Sequence, residues 1–191
     1  EMSSTGKPME TVIGHVVQGW KEAVIVSKGG RTYSKAGVPV YHLKFDEEMV
    51  FSAIKTSNEN LQGRLDVWLL QGAGMMCRGG VGSAMKGMER AREEGLVKLV
   101  GLTGVDEDKI DIIRNWLATS SFKIDVVQIV VTIGSKFPLE LVKYCTCELQ
   151  MIVMVRLEMP SEKHEVVSLE QRLQNFKRMY NVDVNALALL Y

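Results

Sequence analysis

Five short apolar segments recur along the chain, and each is followed by polar or small residues and then by a stretch with helical spacing. A short apolar run bounded by turn residues is typical of a buried strand. Strands that alternate with helices along a chain indicate a parallel sheet built from βαβ units. The predicted strands are Val24–Lys28, Asp66–Gln71, Val97–Thr103, Asp125–Thr132 and Met151–Leu157.

The stretches between these strands have the periodicity of amphipathic helices. Residues 9–20 predict a helix whose inner face carries Ile13, Val16, Val17 and Trp20. A second helix begins at Asp46 as N-cap, with Met49, Ile54 and Leu61 turned inward. Residues 31–45 keep no period and are expected to form a loop. Further helices are predicted over 83–95, 106–117, 138–149, 168–180 and 183–191.

Parallel α/β folds carry their chemistry at the carboxyl ends of the strands. The residues at or near these ends are therefore the candidates for a functional site. They are Ser27, Lys28, Gln71, Thr103, Gly104, Gln128, Thr132 and Arg156.

Length and composition narrow the class of protein. The 191 residues suit a single domain over 1–191. The 23 basic residues balance the 23 acidic ones, so bulk charge favours neither a nucleic acid nor a membrane surface as partner.

There is no apolar run of about 18 residues and no visible signal peptide. An odd number of cysteines, three, fits a reducing compartment, and we expect a cytoplasmic protein. No His, Cys or carboxylate cluster has metal-ligand spacing, so we expect no metal site.

A glycine-rich stretch, Gly72–Gly82, follows the second predicted strand. Backbone N–H groups of such a loop can wrap a phosphate at the start of a helix, and Arg78 would add positive charge. However, the glycines do not complete a dinucleotide-binding fingerprint. A loop at the mouth of a barrel is the alternative interpretation.

Three motifs resemble the aldo-keto reductase family in the same order and with similar spacing. They are SKGG at 27–30, AMKGMERAREEGLVKLVGLTGV at 84–105 and DVVQ at 125–128. The opening TGKPMETVIGHVV and the tail LQNFKRMYNVDVNALALLY are also similar to segments of that family. The resemblance implies a parallel (β/α) TIM-type barrel that lacks the first two strands and the last strand.

The resemblance also implies an NAD(P)H-dependent oxidoreductase that interconverts small carbonyl and alcohol compounds, with NADP or NAD as cofactor. Lys28 matches the family's catalytic lysine, and Gln71 stands where the family has a histidine. Gln128 matches the glutamine that holds the nicotinamide amide, and Thr103-Gly104 replace a Ser-Asn pair. The position expected to stack on the nicotinamide ring is Val131.

Much of the family's catalytic set has no counterpart in this sequence. The tyrosine is expected near Ser3–Gly6, where none occurs, and the aspartate would precede Glu1. We therefore expect weak or absent activity in this chain. The alternatives are a non-catalytic regulatory or scaffold barrel that binds a protein partner or a second copy, and an incomplete record of a longer reductase.

Overall fold

The computed structural model describes residues 8–33, 39–41, 46–71, 81–105, 121–132 and 139–158. The helices are α1 (Met9–Val16), α2 (Glu47–Asn60), α3 (Val81–Glu93) and α4 (Leu139–Lys143). A 3-10 turn over Val17–Gly19 continues α1, and a π-helical turn over Tyr144–Glu148 continues α4. The strands are β1 (Val26–Gly29), β2 (Arg31–Tyr33), β3 (Pro39–Tyr41), β4 (Val67–Gln71), β5 (Leu99–Val105), β6 (Val126–Thr132) and β7 (Ile152–Glu158).

The five predicted strands form one parallel sheet in the order β1-β4-β5-β6-β7. This confirms the parallel α/β class. Each strand begins one or two residues later than the apolar pattern predicted. Within the segment expected to be a loop, β2 and β3 pair antiparallel as a separate two-stranded ribbon. That expectation was wrong because strands of three residues are too short to show a period of two.

The two faces of the sheet have different environments. One face packs under the helices and carries the larger core, including the fully buried Trp68, Leu70 and Ile129. The opposite face carries a smaller apolar cluster built on Val67, Leu69 and Val126. Because side chains alternate along a strand, this division assigns the remaining strand residues to one face or the other.

Helices α2 and α3 follow the predicted pattern. The side chain of Asp46 caps α2 by accepting a hydrogen bond from the backbone N–H of Met49 at 2.8 Å. Ile54 and Leu61 are buried, as expected. The two helices approach closely at Gly87, where an added Cβ would lie 2.4 Å from the carbonyl oxygen of Glu47.

The predicted inner face of α1 was wrong. Val17 is buried, but Ile13, Val16 and Trp20 are 39%, 69% and 62% exposed. The helix instead packs through buried Gly14, whose added Cβ would lie 2.5 Å from the carbonyl oxygen of Asn60. The glycine permits this close approach and thereby turns the bulkier apolar residues outward. We call Met9, Ile13, Val16 and Trp20 the α1 stripe.

Polar contacts fix the segments before the strands. The guanidinium of Arg64 donates to the carbonyl oxygens of Val17, Trp20 and Ala23, which holds the turn between α1 and β1. Before β6, Asp125 accepts from the backbone N–H of Val100 at 3.1 Å and pairs with Arg92 at 3.2 Å. Contacts at this end of a parallel barrel serve stability.

Asp66 has a similar role before β4. Its two carboxylate oxygens accept from the backbone N–H of Ile25 at 2.8 Å and from Lys98 Nζ at 2.6 Å. Burial alone would raise the pKa of Asp66, but the hydrogen bonds from Lys98 and Ile25 outweigh it and lower the pKa below its usual value. The carboxylate therefore stays ionised where it joins β1, β4 and β5.

Candidate functional site at the carboxyl ends of the strands

Three of the predicted site residues form a row across adjacent strands. Gln71 of β4 pairs in register with Thr103 of β5, and Thr103 pairs with Gln128 of β6. Neighbouring strands lie about 4.8 Å apart, so the row spans roughly 10 Å. The register thus places three hydrogen-bonding side chains side by side at one level of the sheet.

Thr103 and Gln128 are joined by a buried hydrogen bond. The hydroxyl Oγ1 of Thr103 donates to Oε1 of Gln128 at 2.7 Å, and both residues are only 4% exposed. Buried polar side chains in an apolar sheet need such partners, since an unpaired one is costly. With Oε1 bound to Thr103, the group of Gln128 that can donate to a ligand is Nε2.

Lys28 lies on the same face of the sheet as this row. It is exposed and pairs in register with Leu69 of β4, which lies two residues before Gln71 on that strand. Its neighbour Ser27 points to the opposite face, where its hydroxyl donates to Glu10 of α1 at 2.5 Å. Ser27 therefore anchors α1 on β1 and lies outside the candidate site.

The layer beneath the row is tightly packed. Gly101 of β5 lies between Leu69 and Val126 in this layer. A Cβ at Gly101 would lie 2.4 Å from the carbonyl oxygen of Val126 and 2.6 Å from Cδ2 of Leu69. Sequence reasoning missed this role, although a glycine two residues before Thr103 in a strand is a signal of close packing.

Gly104 follows the row and marks an irregularity in β5. The pairing with β6 shifts between Thr103 and Val105, and Gly104 has a φ of +80°. This left-handed conformation favours glycine, which explains why a glycine stands next to Thr103. Val131, the expected stacking residue, is buried in the helix-side core, so it does not lie on the face of the row. That expectation was wrong because Val131 lies three positions after Gln128, and side chains an odd number of positions apart on a strand point to opposite faces.

Arg156 extends the site on β7. Met154 pairs with Gln128, and Arg156, two residues further, pairs with Val130. Alternation therefore places Arg156 on the same face as Gln128, beyond it toward the carboxyl end. Its side chain is partly buried, and its Nε atom is fully buried.

Several sequence-based expectations lie outside the described residues. These include the glycine-rich stretch over 72–80, the segment near Ser3–Gly6 and the two predicted closing helices. Within the described ranges, no group of three or more His, Cys, Asp or Glu side chains could hold a metal ion. In the same ranges, none of the helices has both the length and the apolarity needed to span a bilayer.

A family model described as the aldo/keto reductase family matches residues 6–178. Curated proteins show no match to the chain. Solved structures do match: an aldo-keto reductase from Bombyx mori in complex with NADP has a TM-score of 0.60 and 16% identity, over 92% of this chain and 59% of that one. The holo form of an aldo-keto reductase from Bacillus halodurans has a TM-score of 0.58 and 19% identity, over 77% of this chain and 45% of that one.

A third similar structure is an aldo-keto reductase from Klebsiella pneumoniae in complex with NADPH, with a TM-score of 0.55 and 20% identity. It is matched over 76% of this chain and 46% of its own length. At such identities the similarity shows the fold alone, which is a (β/α) barrel of this kind in truncated form. The chain spans about half the length of the structures it matches.

Proposed function

Because the chain belongs to the aldo/keto reductase family, we propose that it is an NAD(P)H-binding oxidoreductase acting on small carbonyl or alcohol compounds. The observation that carries this proposal is the common face of Lys28, Gln71, Thr103 and Gln128 near the carboxyl ends of their strands. Sites of parallel α/β folds lie at these ends. If these four side chains had pointed to different faces of the sheet, they could not have formed a shared site.

The row of polar side chains fits the carboxamide of a nicotinamide. Gln128 would donate from Nε2 to the carboxamide oxygen, while Thr103 holds its Oε1 at 2.7 Å. Gly104, which follows Thr103, adds no side chain beside it. When bound, the cofactor supplies or accepts the hydride, and the protein's part is to orient the ring.

Lys28 and Gln71 would act on the substrate. The ammonium of Lys28 stabilises negative charge that develops on a carbonyl oxygen, and the amide of Gln71 donates a hydrogen bond to the same oxygen. Neither group replaces the tyrosine hydroxyl that the family resemblance implies as proton donor. We therefore propose slow turnover, well below about 1 s⁻¹, for this chain.

Cofactor binding tests the proposal directly. We expect NADPH or NADH to bind the wild-type chain in a fluorescence titration, and Gln128→Leu to weaken the affinity at least tenfold. Gln18→Leu is the matched control, because Gln18 is an exposed glutamine in the turn after α1 whose amide bonds the carbonyl oxygen of Gly14. No binding by the wild-type chain, or equal binding by Gln128→Leu, would contradict the proposed site.

A second candidate function is a non-catalytic barrel that binds a protein partner or a second copy. The exposed α1 stripe favours it, because contiguous apolar surface often marks an interaction site. Among the strands that the structure describes, β1 is also an edge strand, and edge strands can pair with another chain. Size-exclusion chromatography with light scattering separates the two candidates: a compact monomer that binds NADPH supports the enzyme, whereas a dimer that Val16→Lys dissociates supports the binding protein.

We also propose a cytoplasmic location. Within the described residues, neither the buried Cys145 nor the exposed Cys147 forms a disulfide, which is usual in a reducing compartment. Fractionation of cells that express the protein would test this, and recovery from an oxidising compartment would contradict it.

A further inference from the structure

Among the residues of the described sheet, Arg156 is the charged residue closest in register to Gln128 on the same face. The neighbouring strand places its Cα about 8 Å from that of Gln128, since strands lie about 4.8 Å apart and two residues advance about 6.6 Å. Both residues lie on the face opposite the helix-side core. A ligand that Gln128 holds through its carboxamide would therefore have Arg156 as its neighbour on the β7 side.

The buried part of the Arg156 side chain restricts the position of its guanidinium group. Its Nε is fully covered and the residue is only partly exposed, so the side chain lies against the protein instead of extending freely into solvent. An arginine keeps its charge at all physiological pH values, and its planar group packs against flat rings. Val131, the residue expected to stack on the nicotinamide ring, lies in the helix-side core and cannot contact a ring on the opposite face of the sheet.

The two redox forms of a nicotinamide differ in charge at the ring. The oxidised ring is a cation and the reduced ring is neutral, while the phosphates and riboses are the same in both. A guanidinium beside the ring repels only the oxidised form. We propose that Arg156 makes this site prefer the reduced cofactor, NAD(P)H, over NAD(P)⁺.

This inference rests on the function proposed above. Among the residues of the described sheet, Lys28 on β1 at the far edge and Glu158 on β7, two residues beyond Arg156, are the other charged residues toward this end. We expect a preference of roughly tenfold to a hundredfold for the reduced form at a protein-like dielectric.

The test compares dissociation constants of NADPH and NADP⁺, and of NADH and NAD⁺, by fluorescence or calorimetric titration. For the wild-type chain we expect the oxidised form to bind at least tenfold more weakly. Arg156→Gln and Arg156→Met should bring the ratio close to one, and Arg156→Lys should retain most of it. A purely structural role for Arg156 would instead weaken both forms by the same factor.

The matched control is Lys143→Gln, which removes an exposed cation on α4 that pairs with Glu140 at 3.2 Å, away from the strand ends. Its ratio should equal that of the wild type. Equal affinities for the two forms in the wild-type chain, or an unchanged ratio in Arg156→Gln, would overturn the inference while the proposed function stands. Absence of binding by either form would overturn both.

Discussion

The hydroxyl of Thr103 on β5 donates a hydrogen bond to the side-chain oxygen of Gln128 on β6, at 2.7 Å and almost fully shielded from solvent. These two residues face each other in the register of parallel strands that are otherwise apolar. The pair therefore fixes the orientation of one amide group within the candidate site.

Removing the hydroxyl of Thr103 should affect both stability and binding. Thr103→Val keeps the shape but leaves Oε1 of Gln128 without its partner in a buried position, which costs roughly 1–3 kcal/mol. Urea unfolding measures the loss, and an NADPH titration should show weaker binding as Gln128 loses its fixed orientation. The double variant Thr103→Val with Gln128→Met should recover part of the stability but not the binding. Wild-type stability in Thr103→Val would contradict this account.

Asp66 should make the stability of the protein depend on acid pH. Its folded-state pKa lies below the ordinary value of 3.8, so its ionised form stabilises the fold. That contribution is complete above pH 3.8 and is lost as the pH falls through the lower, folded-state pKa. We expect Asp66→Asn to be roughly 1–2 kcal/mol less stable at pH 7, and the difference to disappear at low pH.

The companion variant is Lys98→Met, which separates the two partners of Asp66. Lys98 is 78% exposed, so its pair with Asp66 should contribute no more than about 1 kcal/mol. Chemical denaturation over a pH series measures both variants. A Lys98→Met loss as large as that of Asp66→Asn would show that the surface pair, and not the backbone N–H of Ile25, dominates.

Two glycines of α3 should respond in opposite directions to the same substitution. An added methyl at Gly87 would lie 2.4 Å from the backbone oxygen of Glu47, so Gly87→Ala should cost roughly 1–3 kcal/mol by forcing α2 and α3 apart. A Cβ at Gly82 meets nothing within 4 Å, so Gly82→Ala should be neutral or stabilise by up to about 1 kcal/mol. Thermal unfolding of the two variants checks the pair, and similar melting temperatures would refute the helix packing described above.

Neighbouring valines of α1 and the turn after it offer a further test. Val16 is 69% exposed and Val17 is 7% exposed. Val17→Ser should destabilise the chain by about 2 kcal/mol, because it places a hydroxyl in the core and removes apolar contact. Val16→Ser should stay within about 0.5 kcal/mol of the wild type. The reverse order of stabilities would mean that the α1 stripe packs inward in solution.

The sequence was sufficient to predict the parallel sheet, for physical reasons. Strands such as β6, buried on both faces, read as continuous apolar runs, and a polar residue among them, Gln128, is conspicuous. Strand alternation then assigns Lys28 and Gln71 to one face once the register is known. The register itself depends on pairing between segments far apart in sequence, so it could not be read from any one strand.

Expectations that depended on tertiary contacts were less successful. The helix of residues 9–20 was predicted, but its buried face was not, because Gly14 lets α1 approach Asn60 more closely than its larger apolar residues allow. The pairing of β2 and β3 left no periodic signal. Val131 was misplaced for a simpler reason, since its face follows directly from counting residues along β6.

Gly101 has a practical consequence for altering specificity in this scaffold. Its neighbours already occupy the space that a larger side chain would need, so a library that diversifies the strand beneath Thr103 would yield mostly misfolded variants. New ligand preferences are better sought by varying the segments that connect the elements, because loops tolerate substitution better than packed strand positions do.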